Sequence, residues 1–145
     1  MTPFSRFVFR KYDWQNYLHT PTEVVKFPFD KNYFIVDCWH HRVIYSPSLR
    51  KPIGRWRTLT EVLGGHTVAS DGEVYLCDDT DSDAIQVFVK DGAGYRKVQH
   101  ITLHDKIGGT ACYYDASRRL PRPHYICYDA QSRKFLCAIS WGGGY

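Results

Sequence analysis

The sequence predicts an all-β protein built from a repeated four-stranded antiparallel unit, and three observations lead there. Aromatic residues make up 16% of the 145 positions, with eleven Tyr, eight Phe and four Trp. Such side chains suit the half-buried pleated surface of a strand. Short apolar runs also alternate with turn signals such as Asp71-Gly72 and Asp91-Gly-Ala-Gly94. The third observation is internal similarity, which decides the architecture. Asp37 has apolar residues before it and Val43 six positions after; Asp79, 42 positions on, stands in the same way before Ile85. Four residues separate His66 from Asp71, and four separate His124 from Asp129, at an offset of 58.

Taken in order, residues 1–20 form a lead-in. Phe7 and Phe9 alternate with polar neighbours as a strand would, and Trp14, Tyr17 and Leu18 have the spacing of one helical turn. The first unit, 21–64, holds strands near Thr22–Phe27, Tyr33–Asp37 and Arg42–Tyr45, with a fourth strand or short helix in Ile53–Leu63. The second, 65–122, holds strands at His66–Ser70, Glu73–Cys77, Ala84–Val89 and Tyr95–Leu103, then an irregular stretch Lys106–Arg122. The third, 123–145, has strands Tyr125–Tyr128 and Lys134–Ile139 and lacks its outer half. Four antiparallel strands make one propeller blade. The expectation is therefore a partial β-propeller of about two and a half blades. A ring needs more, so we expect, in this order, a fragment of a larger propeller, a homo-oligomer completing the propeller, or an open solenoid-like wedge with its hydrophobic flanks covered by loops.

The pattern of apolar pair, Asp, polar turn, then Arg-Val and an aromatic resembles the NHL-type β-propeller repeat. Val36-Asp37 with Arg42-Val43-Ile44-Tyr45 carries it once, and Asp79 with Ile85-Gln86-Val87-Phe88 again. Ala84 replaces the Arg in the second copy, so an Asp–Arg pair is expected only in the first. Residues 66–88 further resemble blades of the peptidyl-amidoglycolate lyase family, whose blade-start histidines bind zinc in a central channel. That resemblance places His66 and His124 at the metal-ligating positions, with Thr22 at the same place in the first unit. It departs from the family in supplying only two such histidines, where a metal site needs three or four ligands.

Other residues narrow the function. Nineteen basic against fifteen acidic residues give a net charge of +4, too small an excess to point to nucleic acid. No stretch approaches the roughly 20 apolar residues of a membrane span, so a membrane partner is not expected and the default location is cytoplasmic. Five cysteines without C-x-x-C spacing read as reduced, buried thiols. Cys38, His40 and His41 fall in a turn, and adjacent histidines on a strand point to opposite faces, so the Asp37 pattern explains them better than a metal. Asp79-Thr-Asp-Ser-Asp83 begins like a calcium loop, but Ala84 stands where Gly is required and Lys90 where Glu is required. The interleaved basic and aromatic residues of Ile53-Gly-Arg-Trp-Arg57 read as a blade-edge strand with Arg facing water. No nucleotide or hydrolase motif is present. The expected function is a non-catalytic module binding a protein or small-molecule ligand around His66, His124 and Thr22. The alternative is a metal-dependent lyase or lactonase-like enzyme using His66 and His124, with zinc, or calcium at the acidic turn, as its cofactor.

Overall fold

The computed structural model describes residues 14–62, 65–78, 84–102 and 122–140, which form ten strands and no α-helix. Strands β1 (Pro21–Lys26), β2 (Tyr33–Asp37), β3 (Arg42–Ser46) and β4 (Arg57–Glu61) make a four-stranded antiparallel meander in chain order. A second meander follows from β5 (Gly65–Ser70), β6 (Val74–Asp78), β7 (Ala84–Asp91) and β8 (Gly94–Thr102). Strands β9 (Arg122–Asp129) and β10 (Lys134–Ser140) form a two-stranded antiparallel hairpin. The expected strands are therefore present in the expected order. The sheets are open, and none closes on itself.

Local chemistry accounts for the turns. Between β7 and β8, Asp91 pairs with Gly94 across a two-residue loop, and Gly92 takes φ 58° at its first position. That positive φ is what the right-handed strand twist demands of a tight hairpin. Between β9 and β10, Asp129 accepts bonds from the Gln131 and Ser132 amides and the Ser132 hydroxyl, holding its carboxyl below the ordinary aspartate pKa. Ile53–Leu63, open between strand and helix in the sequence, resolves into a 3-10 turn at Ile53–Arg55 and then β4. Trp14–Asn16 is also a 3-10 turn. The Phe4–Tyr12 strand, the acidic turn at 79–83, Cys112 and the stretch 106–121 lie outside the described residues.

The sheets stack face to face, and the faces form the core. Phe34, Val36, Val43 and Tyr45 of the first sheet meet Val68, Val74, Leu76 and Phe88 of the second. On its other face the second sheet sets Ala69, Cys77 and Ile85 against Ile126 of the hairpin. A sheet buried on both faces needs apolar residues at successive positions, which is why β6 reads Val-Tyr-Leu-Cys without alternation. The far face of the first sheet is covered as well: Ile35, Ile44 and Trp56 pack with Leu18, Tyr33 and Ile53. The far face of the hairpin leaves Tyr125 and Leu136 exposed, at 47% and 61%.

The cysteines depart partly from expectation. Cys77 is buried, but Cys38, Cys127 and Cys137 are only half-buried. Cys127 lies on the hairpin, whose outer face no further sheet covers among the described residues. No helix among the described residues is long and apolar enough to cross a membrane.

Candidate functional site

Strands β1, β5 and β9 are each the first strand of a sheet, so each has one edge without a strand partner. Backbone groups on such an edge still need hydrogen bonds, and here side chains from the neighbouring sheet supply them. Thr22 Oγ1 on β1 donates to the His66 carbonyl oxygen at 2.7 Å. The Val68 amide donates to Glu23 Oε2 at 2.6 Å. One sheet further on, the Ile126 amide of β9 donates to Thr67 Oγ1 of β5 at 2.9 Å. The three first strands are thus joined side by side.

This joining brings the expected site residues together. The rings of His66 and His124 have centroids 4.2 Å apart and planes inclined at 42°. Thr22 bonds the backbone of that same His66, so all three residues share one locality. His66 is half-buried and His124 is exposed. A register shift between Gly65 and Val68 in the β5–β6 pairing falls at His66 and Thr67. Such an irregularity re-aims side chains. Gly65 is needed beside it, because a Cβ there would lie 2.8 Å from Val62 Cγ1.

Glu23 follows Thr22 on β1 and places an ionisable group against β5. Burial raises its carboxyl pKa above the ordinary glutamate value, opposed by the bond from the Val68 amide. Chemically, two adjacent imidazoles offer two nitrogen donors of the kind zinc accepts, and they also offer flat, partly polar surface to an organic ligand. Among the described residues no group of three or more His, Cys, Asp or Glu side chains is arranged to hold a metal. The two histidines therefore fit part of a zinc site, short of the three protein ligands of an open one. The acidic turn considered for calcium lies outside the described residues.

The other sequence candidates serve the framework. Asp37, fully buried, accepts from Arg42 Nε at 2.8 Å, pairs with His40 Nδ1 at 2.8 Å and accepts from the His19 amide at 2.7 Å. Arg42 also donates to the Tyr17 carbonyl at 3.0 Å, so this cluster ties the lead-in to the first sheet. The Asp37–Arg42 pair expected in the first copy is present. His41 is exposed and takes φ 53° at the turn after the 3-10 segment Cys38–His40. Trp56 is buried and donates to the Lys51 carbonyl, while Arg57 lies over the Tyr45 ring and donates to the Ala93 carbonyl. The run expected as an edge strand is therefore a 3-10 turn over Ile53–Arg55, with only Arg57 beginning β4, and both arginines are exposed.

One polar group was not anticipated. Tyr95 on β8 donates to Asp30 Oδ2 at 2.7 Å and accepts from Asn32 Nδ2 at 2.8 Å, linking the second sheet to the β1–β2 turn. Burial first, then the bond to Asp30, pushes the Tyr95 hydroxyl pKa well up. Its only sequence signal was the Asp30-Lys-Asn32 turn. No family model, curated protein or solved structure matches this chain.

Proposed function

We propose that the chain is a non-catalytic binding module, an incomplete NHL-type β-propeller that takes a protein or small-molecule ligand where Thr22, His66 and His124 meet. On this reading each sheet is a blade, β1, β5 and β9 line the centre, and the chain is part of a larger ring. The observation that carries it is the 4.2 Å approach of two imidazoles from corresponding strand positions. Rigid blades hold such groups at fixed separation, and fixed geometry lowers the entropic cost of binding. Fragment screening by amide and imidazole NMR shifts tests the reading. Perturbations should gather at Thr22, His66 and His124, and a scatter of unrelated sites would overturn it.

The same approach of imidazoles favours a second reading, a metal-dependent lyase or lactonase-like enzyme. Bound zinc would supply a Lewis acid for a carbonyl or a hydroxide at neutral pH. His66 and His124 would hold it, with the missing ligands coming from further blades or another chain. Zinc titration by calorimetry separates the readings. One zinc per chain, lost in both His66→Ala and His124→Ala variants that remain folded, supports the enzyme; failure to bind zinc supports the module.

A further inference from the structure

The face of β6 turned toward the hairpin carries Tyr75 and Cys77, and on the hairpin β10 carries Phe135 and Cys137, which pack into the same cluster. Residues two apart along a strand share a face. The Tyr75 and Phe135 rings touch, with centroids 4.2 Å apart, so the next residues on the two faces, Cys77 and Cys137, stand opposite each other. Ile126 of β9, the register partner of Cys137, lies in the same cluster as Cys77. Cys137 packs against the cluster that holds Cys77, and its own thiol lies 3.7 Å from the Ala138 carbonyl oxygen. Hydrogen bonding with Cys77 holds the Cys137 thiol below its ordinary pKa, against the opposing effect of burial.

The two thiols differ in access. Cys77 is fully enclosed, whereas Cys137 is half-buried. A partly accessible sulfur with thiolate character is the one a small oxidant finds first. The enclosed neighbour is then placed to resolve the adduct.

We propose that Cys77 and Cys137 form a dithiol switch, which a low-molecular-weight disulfide such as oxidised glutathione converts into an inter-sheet disulfide strapping the hairpin to the second sheet. The Cys137 thiolate attacks one sulfur of the oxidant; a protein–glutathione S–S bond forms, the oxidant's own S–S bond breaks, and one glutathione thiolate leaves. Cys77, losing its proton to solvent, then attacks the Cys137 sulfur and expels the second glutathione thiolate. The protein gives up two electrons and two protons, and one oxidised glutathione becomes two reduced ones. The bridge requires Cα atoms within roughly 4.4–6.8 Å. The two-stranded hairpin would have to bring Cys137 within that range of Cys77. It carries His124, so the strap would also fix that imidazole against His66. The chemistry itself does not depend on the ligand reading.

The full-length chain is exposed to oxidised glutathione, remaining thiols are alkylated, and the intact protein and its tryptic peptides are weighed. The wild type is expected to lose two hydrogens and yield a Cys77–Cys137 linked peptide, with dithiothreitol reversing both. Cys77→Ser should stop with one glutathione on Cys137, and Cys137→Ser should leave Cys77 unmodified. Cys77→Ala serves as the second variant if the serine form does not fold. Glutathione retained on wild-type Cys137, a bridge between other cysteines, or Cys38 or Cys127 reacting ahead of Cys137 in the Cys77 variants would overturn the proposal.

Discussion

Asp37 has no exposed surface, yet it accepts from a guanidinium and a backbone amide while pairing with an imidazole. A carboxylate taken out of water is tolerated only with such partners, and removing it strands the cation it served. Arg42 is itself only 6% exposed. Asp37→Ala is therefore expected to cost about 3–5 kcal/mol, read from the urea midpoint of the variant against wild type. A loss below about 1 kcal/mol, the value of an exposed pair, would contradict this account of the cluster. The Asp37–Arg42 contact was legible because the resembled repeat pattern carries both residues in the first copy, and strand pairing sets Asp37 directly across from Arg42. The His40 and His19 contacts were not, since they depend on where the lead-in folds back. Tyr95 and Asp30 were further out of reach: they lie 65 positions apart in chain, and no periodicity connects a turn aspartate with a tyrosine on another sheet.

Among the elements, the unusual feature is how β1 serves the open edge of β5. Glu23 holds the Val68 amide while half-buried, and its carboxyl pKa is raised chiefly by desolvation. The folded state thus binds the proton more tightly than the unfolded chain does. The stabilisation from this group is fully present below the ordinary glutamate pKa and is lost as pH rises through the raised folded value. Glu23→Gln keeps an acceptor for the amide without the charge. Its stability should fall less than that of wild type as pH rises from about 4 to about 8, leaving it equal or up to about 1 kcal/mol ahead at the upper end. Denaturant midpoints across that range provide the check, and a wild type that gains on the variant with rising pH would refute the desolvation argument. Strand boundaries were largely readable, because Asp-Gly and Gly-rich signals mark the turns. The register shift at His66 and Thr67 was not, since it follows from contacts between sheets and leaves no periodic trace.

Across the whole molecule, two complete meanders and a hairpin stack through apolar faces, with the first strands linked by Thr22, Glu23 and Thr67. The repeat made the strand count and order legible, because equivalent positions in a repeat do equivalent structural work. A flank covered by loops was among the expectations, but that Leu18, Ile53 and Trp56 cover it was not legible, because those residues lie in turns whose direction the pattern does not encode. The candidate site was half legible. Matching sequence positions identified His66 and His124, but their separation is set by side-chain bridges between sheets. Nuclear Overhauser contacts between the two imidazole rings test that geometry most directly. With centroids 4.2 Å apart, strong cross-peaks between the ring protons of His66 and His124 are expected in the reduced, metal-free chain. A folded chain with both rings assigned and no such cross-peaks would contradict the side-by-side arrangement of the first strands.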